Sequence, residues 1–244
     1  MKTPLVLLCA LFLLGCTQEK PKFTTVYVFV DVTDSLFRSA NHYLPDIPVL
    51  LHKMNIDTVK GGYDGAELRI LLINDLSESK STVRRLEEGS PGMLGQNPLD
   101  RLDEIKKFSR GVREDFISLL RDAEWQKNQS KIYQNLCREL NNLVGANSDR
   151  KAVVIYSDML ENSNLFSFYG SGIEKVHHYV EDMNQTRQQL TADCEMPDLS
   201  GVEVNIISLR TKENDEKVNL ASQFWTRLFQ QQRAIVRFGS ELRE

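Results

Sequence analysis

The chain has 244 residues, 41% hydrophobic and 26% charged, a balance that excludes disordered and collagen-like classes. Lys and Arg total 30 against 34 Asp and Glu, so the net charge of −4 offers no cationic surplus for nucleic acid. The four cysteines, at 9, 16, 137 and 194, form no C-x-x-C pair, and neither an H-E-x-x-H nor a P-loop string occurs.

Lys2 precedes an apolar run from Leu5 to Leu14. Ten residues are too few for a permanent membrane span but suit the core of a signal peptide. The run ends in Leu13-Leu14-Gly15-Cys16, which resembles the lipobox of bacterial lipoproteins. That resemblance implies a signal peptide over 1–15, cleavage before Cys16 and acylation of that cysteine. Several acyl chains give stable anchoring, at about 0.8 kcal/mol per buried CH₂. Residues 16–23 then form the lipidated Cys and a polar tether to a domain spanning 24–244. Thr17 stands where inner-membrane lipoproteins carry Asp, so the resemblance points to the outer membrane, on either face. The competing reading is an ordinary secretory signal with Cys16 near its cut by chance.

Residues 25–30 form a continuous β-branched and aromatic run, as in a strand buried on both faces. A polar loop over 31–42 and a helix over 45–54 follow, with Pro45 in the helix's first turn. A turn-rich Gly61-Gly62-Tyr63-Asp64-Gly65 introduces a strand over 67–73, and 81–87 reads as a short edge strand. Apolar residues at helical spacing predict a helix over 99–125, bent at Gly111. Asp100, Asp103 and Glu104, with Arg101, Lys106 and Lys107, read as its solvated face. Further helices are predicted over 132–143, 173–190 and 215–232, with strands over 152–156, 202–209 and 234–238. Strands alternating with helices define an α/β protein, a Rossmann-like doubly wound, mainly parallel sheet with helices on both faces. In such sheets ligands collect at the carboxyl ends of strands.

Two loops at such ends begin with an aspartate: Val30-Asp31-Val32-Thr33-Asp34-Ser35 and Tyr156-Ser157-Asp158-Met159. If the first stays extended, Asp31, Thr33 and Ser35 project to one side. Oxygen donors of this kind suit hard divalent cations. The D-x-T-x-S pattern after an apolar strand resembles the metal-ion-dependent adhesion site of von Willebrand factor type A domains, usually D-x-S-x-S. Residues 129–136, Gln-Ser-Lys-Ile-Tyr-Gln-Asn-Leu, are similar to the family's G-T-x-I-x-x-A-L, with Ser130 at the Thr position. Residues 151–158 are similar to its strand ending in S-D-G, with Met159 replacing the Gly. The 99-residue gap from Asp31 to Ser130 implies extra material around 75–98 or a lengthened helix.

The resemblance implies a Mg²⁺ or Mn²⁺ site. Asp31 would hold the cation through water, Thr33 and Ser35 directly, and Ser130 and Asp158 would complete the set. The implied function is binding rather than catalysis, the cation receiving an acidic side chain of a protein partner. Two other readings stand beside it. A purely structural envelope protein would use these Asp and Ser residues only as turns and caps. A metal-dependent phosphohydrolase could use Asp31 as nucleophile, although Thr33 occupies the place of the second Asp of the haloacid-dehalogenase signature.

Four other features are read as structural. His177 and His178 face different directions on a helix and are expected at the surface. Trp125 and Trp225 are expected as packing anchors. Two N-x-S/T strings, at 128 and 184, carry no weight in a bacterial lipoprotein. Cys137 and Cys194 either form a bridge or remain as buried thiols.

Overall fold

The computed structural model describes residues 20–37, 39–74, 80–92, 95–123 and 129–243. The expected signal peptide, Cys16 and Trp125 lie outside them. Strand β1 (Phe23–Asp31) is buried along its whole length, as its unbroken apolar run requires. It pairs in parallel with β2 (Gly65–Ile73) on one side and β4 (Arg150–Tyr156) on the other. Parallel β5 (Val202–Ile207) and β6 (Ile235–Gly239) extend the sheet beyond β4, and antiparallel β3 (Ser81–Leu86) closes the opposite edge. The resulting order, β3-β2-β1-β4-β5-β6, reverses direction between β1 and β4. That point is where an open α/β sheet forms its ligand crevice.

Alternate residues of β1 serve two cores. Val26, Val28 and Val30 pack against α1 (Ile47–Lys53) and α2 (Pro98–Arg121). Tyr27 and Phe29 face α3 (Ile132–Gly145), α4 (Gly172–Glu181), α5 (Met183–Thr191) and α6 (Asp215–Gln231). This is the expected α/β doubly wound architecture, and the 24 residues of α2 supply the lengthened helix between Asp31 and Ser130.

Several local expectations change. The helix predicted over 45–54 begins as a 3₁₀ turn over Leu44–Asp46, and only Ile47–Lys53 is α-helical. The helix predicted over 173–190 breaks at Asp182, whose side chain accepts from the Gln185 amide at 3.0 Å and starts α5. A capping aspartate inside an apolar pattern is enough to divide it. Gly111 does not end or divide α2. It clears space for Arg84 of β3, whose guanidinium lies 2.1 Å from where a Cβ would stand and pairs bidentately with Asp115. Arg101 is not on a solvated face. It is buried, donating to the carbonyls of Gly62 at 3.0 Å and Asp64 at 2.7 Å and pairing with Glu104. His177 and His178 are exposed and Trp225 is fully buried, as expected.

Cys137 of α3 and Cys194 of the α5–β5 linker form a disulfide, 57 residues apart. Tyr133 Oη also donates to the Cys194 carbonyl at 2.7 Å, and Asn141 donates to that of Glu195 at 3.0 Å. The linker is thereby fixed along one side of α3. Among the described residues no helix is long and apolar enough to cross a membrane.

Candidate metal centre

Val30 pairs with Tyr156, so Asp31 and Ser157 leave the sheet as neighbours at the switch between β1 and β4. The Ser157 hydroxyl donates to Asp31 Oδ2 at 2.7 Å, and the Ser130 hydroxyl approaches the same oxygen at 3.4 Å. Asp31 Oδ1 accepts from the Thr33 amide at 2.9 Å and the Thr33 hydroxyl at 2.6 Å. Asp31 is therefore almost wholly buried, with both oxygens engaged.

Ser130 arrives from 99 residues away because two devices hold it. Its amide and carbonyl pair with Asn162 in a short antiparallel bridge. The helix behind it, α3, is capped by the buried Glu161 carboxylate, which accepts from the Tyr133 amide at 2.8 Å. The sequence therefore brings Asp31, Thr33, Ser130 and Asp158 to one place. Thr33, Ser130 and Asp158 line a cleft of about 280 Å³ together with Asp34, Asn162 and Tyr169.

The expected extended run does not form after Asp31. The two Thr33 hydrogen bonds to Asp31 curl the chain, the Leu36 amide donates to Asp34 Oδ1 at 2.9 Å, and a 3₁₀ turn follows over Ser35–Phe37. Side-chain capping of this kind competes with an extended backbone. Its effect is to put Asp34 at the cleft and to leave Ser35 exposed, off the cleft wall. Sequence reasoning missed Asp34 and Ser157, although both stand inside the quoted motifs. An Asp-x-Thr-Asp string, able to form two successive Asx turns, was the available signal for the first.

The second loop contains a strained residue. Met159 has φ +62°, the left-handed region that the Gly of S-D-G would adopt freely. Its amide donates to Ser157 Oγ at 2.8 Å, its carbonyl accepts from Trp225 Nε1 at 2.8 Å, and its side chain is fully buried. Core packing and the indole of α6 thus hold a conformation that costs on the order of 1 kcal/mol for a non-glycine residue.

The electrostatics are unbalanced. Burial pushes the Asp31 carboxyl above its usual range, against the lowering effect of Thr33 and Ser157. Burial, with a further contribution from Asp31, raises Asp34 to about 6. Burial, reinforced by the charges of Asp31 and Asp34, raises Asp158 to about 8. Glu161, buried behind the cleft, is likewise raised to about 8. Asp34 Oδ2 is buried without a hydrogen-bond partner among the described residues.

This donor set fits a hard cation. Among the groups at the cleft are the carboxylates and hydroxyls that Mg²⁺ and Mn²⁺ prefer, and Asp34 Oδ2 has no hydrogen-bond partner among the described residues. No group of three or more His, Cys, Asp or Glu side chains forms a metal cluster among the described residues. A cation here would therefore depend on hydroxyl oxygens and water as well as carboxylates.

No protein-family profile and no curated protein matches the sequence. Among solved structures, the fold is similar to human COPII-coat protein Sec24c, with a TM-score of 0.45, 10% identity, and coverage of 92% of this chain and 30% of that one. The pilus adhesin SpaC from Lactobacillus rhamnosus GG gives a TM-score of 0.41 at 13% identity, over 88% of this chain and 30% of that one. Proximal thread matrix protein 1 from the mussel byssus gives 0.34 at 13%, over 86% and 48%. The chain spans less than a third of the first two structures. These are likenesses of fold, and no property of those proteins is carried over from them.

Proposed function

We propose that the protein is a lipid-anchored module of the bacterial cell envelope that binds a protein partner through Mg²⁺ or Mn²⁺ at this cleft, in the manner of a von Willebrand factor type A domain. The supporting observation is the meeting of Asp31, Asp34 and Asp158 with the hydroxyls of Thr33, Ser130 and Ser157 at the β1–β4 switch point. Buried like charges are costly without a counterion, and a divalent cation removes that cost. Thr33, Ser130, Asp34 and Asp158 would hold it, with Asp31 acting through its hydroxyl partners and water. Ser35 would join only if its turn reorganised. The bound cation would supply an electrophilic position for a carboxylate of the partner.

Anchoring at Cys16, cleavage after residue 15 and placement at the outer membrane rest on the lipobox resemblance. We set the phosphohydrolase reading aside because Asp31, its nucleophile, has both oxygens engaged and is 1% exposed. A nucleophile needs a free, approachable oxygen.

Titration of the purified protein with Mg²⁺ and Mn²⁺ tests the cation site. Linkage predicts stabilisation of about 2.7 kcal/mol at a hundredfold excess over Kd. Asp31→Ala should abolish the effect, and Ser130→Ala should weaken it less. A melting temperature unmoved by millimolar Mg²⁺ or Mn²⁺ would leave a metal-free structural role. For the anchor, Cys16→Ala should abolish labelling by a fatty-acid analogue and release the protein from membranes; unchanged labelling and fractionation would refute it.

A further inference from the structure

One lysine packs against a wall residue of the cleft, and the metal reading does not use it. Lys217, on the first turn of α6, holds its ammonium 4.6 Å from the ring centroid of Tyr169. Tyr169 belongs to the loop after β4 and is a wall residue of the cleft, with 42% of its surface exposed. Tyr169 and Asp158 line the same cleft, so the lysine–tyrosine pair stands at its Tyr169 edge. A lysine stem is flexible, but a ring face within cation–π range limits where its charge rests.

The size of the cleft narrows what can enter. About 280 Å³ is just below the range of roughly 300–1,000 Å³ usual for small-molecule pockets. A single side chain fits within such a space. The wall sets the hydroxyls of Thr33 and Ser130 and the carboxylates of Asp34 and Asp158 beside the apolar surfaces of Leu160 and Tyr169. An anionic side chain would meet Lys217 at the rim, in addition to any cation held by the carboxylates.

We infer that Lys217, positioned on the face of Tyr169, is a second recognition point for the partner, and that it selects an acidic side chain entering the cleft from the Tyr169 side. The inference deepens the metal-dependent binding reading and rests on it for the identity of the site. It adds that the partner must carry its carboxylate where both positive groups reach it, so acidic peptides should bind better than amide isosteres. Charge complementarity at a rim governs association and specificity as well as affinity. Tyr169 is a positioning residue, and its ring matters more than its hydroxyl.

The test uses the full chain and two immobilised peptides, one rich in glutamate and one with glutamine at the same positions, in Mg²⁺ buffer. Wild type should capture the glutamate peptide at least tenfold better. Lys217→Gln should reduce that preference several-fold, Lys217→Glu should reduce it further to what the cation alone supplies, and both should keep the Mg²⁺-induced rise in melting temperature. Tyr169→Phe should behave as wild type, whereas Tyr169→Ala should resemble Lys217→Gln. Equal capture of both peptides by wild type, or capture unaffected by Lys217→Glu, would overturn the inference. Loss of the Mg²⁺ melting shift in wild type, with Lys217-dependent capture retained, would instead refute the cation reading alone.

Discussion

The two ends of β1 use aspartate in opposite ways. At the amino end, Asp64 accepts from the Lys22 amide at 2.9 Å and Asp149 from the Phe23 amide at 2.7 Å. Arg101 lies beneath, tied to the carbonyls of Gly62 and Asp64. Carboxylates and donors are matched there, and the chain is fixed as it enters the sheet. At the carboxyl end, burial and then the charge of Asp31 raise Asp34, burial and then the charges of Asp31 and Asp34 raise Asp158, and Asp34 Oδ2 has no hydrogen-bond partner among the described residues. The first arrangement stabilises the fold. The second works against it, and local conflict of this kind is characteristic of functional sites.

The largest effect that sharpens this contrast concerns the covalent tie outside the cleft. Replacing Cys137 and Cys194 by Ala removes a 57-residue crosslink and should cost about 4 kcal/mol on the loop-entropy account. Urea denaturation measures the loss, and the Mg²⁺ response should survive it. Next, Asp149→Ala removes a carboxylate that caps the Phe23 amide and should destabilise by about 1.5–3 kcal/mol. A neutral result would show that the amino end is not held as described. At the other end, Asp158→Asn in chelator should do the opposite, stabilising by about 0.5–2 kcal/mol near pH 8.

That last gain has a definite pH dependence. The folded-state pKa of Asp158 lies above its unfolded value, so between about 4 and 8 the folded protein binds more protons than the unfolded chain. Stability without a cation therefore falls as pH rises through this window, with Glu161 contributing over the same range and Asp34 up to about 6. Asp158→Asn should flatten the upper part of the decline, and its advantage should shrink towards pH 4. A decline equally steep in the variant would contradict the assignment.

Much of the fold was legible because its cause is local. The apolar strands at 25–30 and 152–156 announced a sheet buried on both faces, and Asp31 and Asp158 stood at their ends. What sequence could not supply was geometry created by tertiary partners. Met159 adopts a glycine-like φ because Trp225, 66 residues away, holds its carbonyl. Arg101 is buried because a distant Gly-rich turn offers it two carbonyls. Ser35 was favoured over Asp34 by alternation along a strand, whereas Asx-type hydrogen bonds turn the chain first. Sequence spacing alone leaves Cys137 and Cys194 as a bridge or two buried thiols, because only the packing of the linker along α3 brings them together.

The most direct test of the central claim is the melting temperature of the wild-type protein at pH 8, measured in chelator and then in millimolar Mg²⁺ or Mn²⁺. If the crowded carboxylates at the β1–β4 switch are a cation site, the divalent ion raises the melting temperature and removes the share of its decline between pH 4 and pH 8 that Asp34 and Asp158 cause, leaving the share of Glu161. Asp31→Ala should show no such rise. A wild-type curve that is the same with and without the ion, across the whole pH range, would contradict the account and reduce the cleft to a feature of the fold.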